Sequence, residues 1–154
     1  MSEILQGVEA LQDATRVLAG VALRSLEVLD GAVSLPQFRV LAVLADLRQA
    51  RSARVASALG LEASTVTRLV DRLVASGHVS REVDPSNRSA VTLDLTTRGQ
   101  RLVADVAAWR KRELARILHG LEPGERAMLT DALRMLVRAA GDGYGALPHN
   151  PVPL

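Results

Sequence analysis

Apolar residues recur every three or four positions across residues 4–29: Ile4, Val8, Leu11, Leu18, Ala22, Leu26 and Leu29, with Thr15 in the same series. That spacing lays one apolar stripe along a single helix, roughly 38 Å long at about 1.5 Å per residue. Asp30-Gly31 ends it. Ser34-Leu35-Pro36-Gln37 then reads as a helix start. Ser34 caps the first turn, Pro36 sits where no backbone donor is needed, and Gln37 completes a capping box. Phe38, Leu41, Leu44 and Ala45 face inward from this second helix, and the polar stretch 48–51 closes it. Ser52 is positioned to cap a short third helix through Leu59, with Val55, Ala56 and Leu59 inside and Gly60 as its stop. A fourth helix spans 63–76, with Val66, Leu69, Val70 and Leu73 on one face and Gly77 at its end.

After Gly77 the period changes to two. Residues 78–83 and 90–95 alternate as strands do, and the turn-rich segment 84–89 joins them in a hairpin with a projecting tip. Thr96 caps a fifth helix that runs to about Leu118, marked by Leu102, Val106, Trp109, Leu114 and Ile117. Leu121-Glu122-Pro123-Gly124 interrupts it. A last helix carries Met128, Leu129, Ala132, Leu133, Leu136, Val137 and Ala140. From Gly141 onward glycine and proline predict a mobile tail. The expected organisation is an N-terminal dimerisation helix (1–33), a helix-turn-helix with a wing (34–99), C-terminal dimerisation helices (100–140) and the tail (141–154). The fold class is mainly α with a small β-wing.

Composition narrows the chemistry. Aromatic residues are only 2% of a chain that is 48% hydrophobic, so Leu, Val and Ala must build the core, which favours helices over a sheet sandwich. Cysteine is absent, which excludes disulfides, thiolate zinc sites and thiol redox sensing. No apolar run is long enough to span a bilayer. The N-terminus, with Glu3 and Glu9, does not read as a signal peptide, and a cytoplasmic protein is expected. Charge is more informative by position than in total. Residues 1–47 carry three basic against six acidic side chains, whereas residues 48–101 carry nine arginines against five acids. Arginine concentrated in this way suits phosphate binding.

The third helix, the Gly60-Leu61 turn and the fourth helix form a helix-turn-helix, followed directly by the hairpin. The polar face of the fourth helix holds Ser64, Thr65, Thr67, Arg68, Asp71 and Arg72. Short hydroxyls and arginines on one face suit a major groove, where Arg pairs with guanine and Ser or Thr reaches phosphates or base edges. Arg88, with Asn87 and Ser89 beside it at the hairpin tip, is the candidate for the minor groove. Ser52 and Arg54 are candidates for backbone phosphates.

The run Ser64-Thr-Val-Thr-Arg-Leu-Val-Asp-Arg-Leu73, then Gly77, Asp84-Pro-Ser-Asn-Arg-Ser89 and Leu95-Thr-Thr-Arg-Gly99 resembles the MarR family of transcriptional regulators. Gln37-Phe38-Arg39-Val40-Leu41 extends the similarity upstream. The resemblance implies a homodimer with interlocked terminal helices and two winged lobes on pseudo-palindromic double-stranded DNA. It also implies control by a small ligand, often an aromatic acid or phenol, bound between the two regions. Two departures stand out. The family's wing commonly carries Asp-Arg-Arg, whereas this chain has Asn87-Arg88-Ser89. Glu62-Ala63 opens the fourth helix where a Ser or Thr cap is usual.

A dimer also follows from the stripes themselves. The apolar faces of the first and last helices exceed what a small winged lobe buries, and exposed they would form a patch larger than monomers tolerate. Leu11, Leu18, Leu129, Leu133 and Leu136 are the candidates for that seam. An effector pocket would need Trp109 and aliphatic walls. His78, His119 and His149 lack metal-ligand spacing, and no phosphate loop or nucleophile motif occurs. Neither catalysis nor a cofactor or metal is expected, and His78 is read as structural. The expected activity is operator binding by a repressor. The alternative is a winged helix used only for protein–protein contact, which the retained Arg68, Arg72 and Arg88 oppose.

Overall fold

Helices and one hairpin follow each other in the order α1 (Ser2–Ser25), a 3₁₀ turn (Leu26–Leu29), α2 (Leu35–Leu47), α3 (Ser52–Leu59), α4 (Ala63–Ala75), β1 (Val79–Asp84), β2 (Asn87–Leu95), α5 (Thr97–His119) and α6 (Pro123–Ala140). The structure is a computed structural model. It describes residues 2–84 and 87–141, apart from the side chains at 84 and 88–90. The tail expected beyond Gly141 lies outside the described residues.

Several starts and stops follow the local chemistry. Ser34 Oγ accepts from the Gln37 backbone N–H at 3.4 Å, and Gln37 Oε1 accepts from the Ser34 backbone N–H at 2.7 Å. This is the expected capping box. Thr96 Oγ1 accepts from the Gly99 N–H at 3.2 Å and caps α5. Glu122 and Glu125 form a second capping box at the start of α6.

Other boundaries differ from expectation. The α-helical part of α1 stops at Ser25, where the buried hydroxyl donates to the Ala22 carbonyl at 2.6 Å, and the chain tightens into the 3₁₀ turn before Asp30 and Gly31 turn it with positive φ. Arg51, not Ser52, occupies the N-cap of α3, and no side chain caps that helix. Ser52 is the first helical residue. Ala45 was expected to point inward and is exposed. The strand β2 begins at Asn87, three residues before the alternation suggests, because pairing continues around an irregularity between Val83 and Asp84.

The hairpin pairs β1 and β2 antiparallel, from Val79 with Leu95 to Asp84 with Asn87. Ala50 adds an isolated rung: its N–H donates to the Leu93 carbonyl at 3.1 Å and its carbonyl accepts from the Leu93 N–H at 2.8 Å. The segment expected only to close α2 therefore ties the helices to the base of the hairpin. Phe38, Leu41, Leu44, Val55, Val66, Val70, Leu73, Leu93 and Val106 are completely buried. They form one core where α2 packs on α3, α4 and α5 and where the hairpin meets α4. Outside this lobe burial falls away. Residues 2–18 of α1 are exposed throughout, and α6 contains no buried residue.

Candidate nucleic-acid interface

The left-handed conformation at Gly60 (φ 63°) turns the chain from α3 into α4. The Leu61 N–H donates to the Ala56 carbonyl at 3.0 Å and satisfies an acceptor the helix end would leave open. No side chain caps α4, whose N-cap is Glu62. The helix is strongly two-faced. Val66, Leu69, Val70 and Leu73 are buried, and Ser64, Thr65, Thr67, Arg68, Asp71 and Arg72 are all exposed together on the opposite side.

These polar residues are not equivalent. Thr67 Oγ1 donates to the Ala63 carbonyl at 2.9 Å, so in this rotamer its oxygen is left to accept. The side chains of Arg68 and Arg72 make no hydrogen bond or ion pair among the described residues. Asp71 Oδ1 accepts from Arg81 Nη2 of β1 at 2.5 Å. Arg81 did not stand out in the sequence, because its partner is ten residues away on a different element. Arg54 is exposed on α3, and Ser52 is half-buried. Asn87 is exposed and pairs with Asp84 across the hairpin. Arg88 and Ser89 belong to the backbone of β2, not to the turn, and their side chains lie outside the described ones.

One junction fastens α4, the hairpin and α5 together. Thr96 Oγ1 donates to the Gly77 carbonyl at 2.7 Å, the Thr96 N–H donates to the His78 carbonyl at 3.1 Å, and Arg98 Nη1 donates to the Ser76 carbonyl at 3.1 Å. His78 itself is 2% exposed, with Nδ1 2.8 Å from Ser76 Oγ. Burial, with the Arg98 guanidinium as a second influence, holds its imidazole below the ordinary value. A histidine that resists its proton only when folded adds no penalty above that ordinary value. Stability is lost as pH falls through it toward the depressed folded value. Thermal midpoints should therefore decline from about pH 7 to about pH 5, and the decline should be shallower in His78→Gln. Equal slopes in the two proteins would remove His78 as the source.

A crevice of about 680 Å³ runs between α2 and α5, lined by Ala42, Ala45, Val106, Leu114 and Leu118 together with Asp46, Arg110 and Lys111. Trp109, expected to wall such a pocket, is not among the lining residues. Arg110 Nη2 donates to the buried Ser25 Oγ at 3.0 Å and joins α5 to the end of α1. Among the described residues no cluster of His, Asp or Glu could hold a metal ion, and no helix is long and apolar enough to cross a membrane.

The geometry has close relatives. The MarR family model matches residues 33–91, the span from the start of α2 into β2. A Bacillus subtilis (strain 168) protein, the uncharacterized HTH-type transcriptional regulator YfiV, is 30% identical over 107 residues, which cover 70% of this chain and 67% of that protein. The crystal structure of Rv1404 from Mycobacterium tuberculosis superposes with a TM-score of 0.78 at 34% identity, covering 87% of this chain and 92% of that one. A mutant of S. aureus MepR bound to an oligodeoxyribonucleotide shares the fold, with a TM-score of 0.71 at 21% identity and coverage of 86% and 96%. Kinship in sequence and agreement in architecture give one conclusion: the chain belongs to the MarR family of transcriptional regulators, which bind DNA through a winged helix.

Proposed function

We propose that this regulator is a homodimeric repressor that binds a pseudo-palindromic operator and is released by a small-molecule effector. The observation that carries the reading is the exposed face of α4, where Ser64, Thr65, Thr67, Arg68 and Arg72 stand clear of the core with both guanidinium groups uncommitted among the described residues. This face enters the major groove, Arg68 and Arg72 meeting guanine edges or phosphates. Asn87, Arg88 and Ser89 of the wing approach the neighbouring minor groove, and Ser52 and Arg54 approach backbone phosphates. That a protein of the same fold, the S. aureus MepR mutant, is bound to an oligodeoxyribonucleotide supports DNA as the partner.

The homodimer rests on the helices that the lobe leaves uncovered. Leu11 and Leu18 on α1 are 45% and 50% exposed, and Leu133 and Leu136 on α6 are 43% and 41% exposed; Leu129 is half-buried. Two copies related by a two-fold axis cover these faces and present two α4 helices about one DNA turn apart. Repression then follows from occupying a site that polymerase needs. The α2–α5 crevice is the effector's seat, its aliphatic walls suited to a flat aromatic ring and Arg110 and Lys111 to an acid group. Release requires the effector to bind the free and DNA-bound conformations unequally.

Selection of duplexes from a random pool, followed by binding at two salt concentrations, tests the reading. An enriched inverted repeat with half-sites about ten base pairs apart is expected, with affinity falling steeply as salt rises. Absence of any binding would move protein–protein contact to the front. Light scattering at micromolar concentration should return twice the 16.5 kDa chain mass; a monomeric mass would exclude the two-fold arrangement.

A further inference from the structure

The exposed face of α4 carries one acid among its cations. Asp71 lies near the middle of that face, three residues after Arg68 and adjacent to Arg72. A carboxylate there has two ways to be satisfied. It can fold onto Arg68, since positions three apart on a helix are neighbours, or it can reach off the helix. Three other acid–arginine pairs of this chain, Asp13–Arg16, Glu113–Arg116 and Asp131–Arg134, take the first course and pair within one helix. Asp71 takes the second and pairs with Arg81 of β1, on side chains that are 54% and 38% exposed. An exposed pair of this kind adds little to stability, so its position calls for another reason.

We propose that Arg81 is a positioning residue for DNA reading: by drawing the Asp71 carboxylate toward the hairpin, it leaves Arg68 and Arg72 to meet DNA as free cations. This rests on the reading of α4 as the element that enters the groove. Without Arg81, the Asp71 carboxylate turns back to Arg68, cancels its charge and faces the phosphates with its own. The effect of losing Arg81 is thus exerted through Asp71, and removing Asp71 as well undoes it.

Binding of the 154-residue chain to its selected duplex, measured across several salt concentrations, tests this with wild type, Arg81→Ala, Asp71→Asn, the double variant and Arg81→Lys. Arg81→Ala is expected to bind roughly fivefold more weakly, with a salt slope flattened by about one phosphate contact. The double variant is expected to recover both the affinity, to within about twofold of Asp71→Asn, and the wild-type slope. Arg81→Lys, which keeps a cation for Asp71, is expected to stay near wild type and to answer any concern that Arg81→Ala is misfolded. A double variant as weak as Arg81→Ala would mean that Arg81 touches phosphate itself and would overturn the proposal, as would an Arg81→Ala protein that binds normally. Wild type that binds no duplex at all would fail earlier, at the assignment of α4 to DNA.

Discussion

Gly99→Ala is expected to lower the thermal midpoint by about 6–12 °C, corresponding to a loss of about 3 kcal/mol in a chain of this size. A Cβ at Gly99 would lie 2.2 Å from the His78 carbonyl oxygen and 3.3 Å from Leu95 Cδ2. The nearer obstacle is backbone, which cannot swing aside as a side chain does. Relief requires α5 to move away from the α4–β1 junction, and that movement breaks the bond from the Thr96 N–H to the His78 carbonyl and strains those from Thr96 Oγ1 to Gly77 and from Arg98 to Ser76. Gly20→Ala in α1 is the comparison, since a Cβ there meets nothing within 4 Å. Within a helix, alanine is better than glycine by up to about 1 kcal/mol, so Gly20→Ala should melt at or above wild type. Thermal and urea unfolding followed by circular dichroism measures both. A Gly99→Ala protein as stable as wild type would mean that the junction tolerates a wider separation than its hydrogen bonds imply.

Arg68→Ala should leave folding intact and weaken binding to the selected operator by about 1–3 kcal/mol if its guanidinium reads guanine. The Arg68 side chain is exposed and makes no bond that holds the fold among the described residues, so truncation disturbs the fold little and isolates the proposed contact to DNA. The diagnostic is the pattern across sequences. Loss concentrated at one base pair, with that pair becoming degenerate on reselection, marks base reading. Equal weakening on every duplex, with a salt slope smaller by about one contact, marks a phosphate contact only. An Arg68→Ala protein with unchanged affinity would remove the residue from the interface.

Features decided within a few residues were legible in the sequence. The Ser34–Gln37 capping box, the Thr96 cap, the stop at Gly60 and the two faces of α4 depend on spacings of three or four, and the structure has each of them. His78, expected to open a strand, lies one residue before β1 and is buried. Features that depend on pairing between distant segments were not legible. Ala50 looks like an interruption in a polar stretch until Leu93 is seen across from it, forty-three residues later. The partnership of Asp71 with Arg81 and the approach of Gly99 to His78 have no local periodicity that could report them. Ser52 looked like a cap because its type suits the role; Arg51 takes the position because the extended backbone that precedes the helix ends there, at ψ 150°. Trp109 is the expected pocket wall because the chain has so few aromatic residues, but the side of α5 that faces the crevice carries Val106, Arg110 and Leu114.

The junction at Thr96, Arg98 and Gly99 has a mechanical consequence. It clamps the start of α5 to the end of α4, while Arg110, further along α5, is bonded to Ser25 at the end of α1. The α5 helix, 23 residues long and therefore about 34 Å at about 1.5 Å per residue, is a lever with one end in the reading head. A tilt of about 5° displaces the end of a rod of that length by about 3 Å, comparable to the separation of successive base pairs. On the proposed reading of α4 as the element that enters DNA, sequence changes that re-aim the outer helices are thus also changes in the pitch at which α4 would meet it.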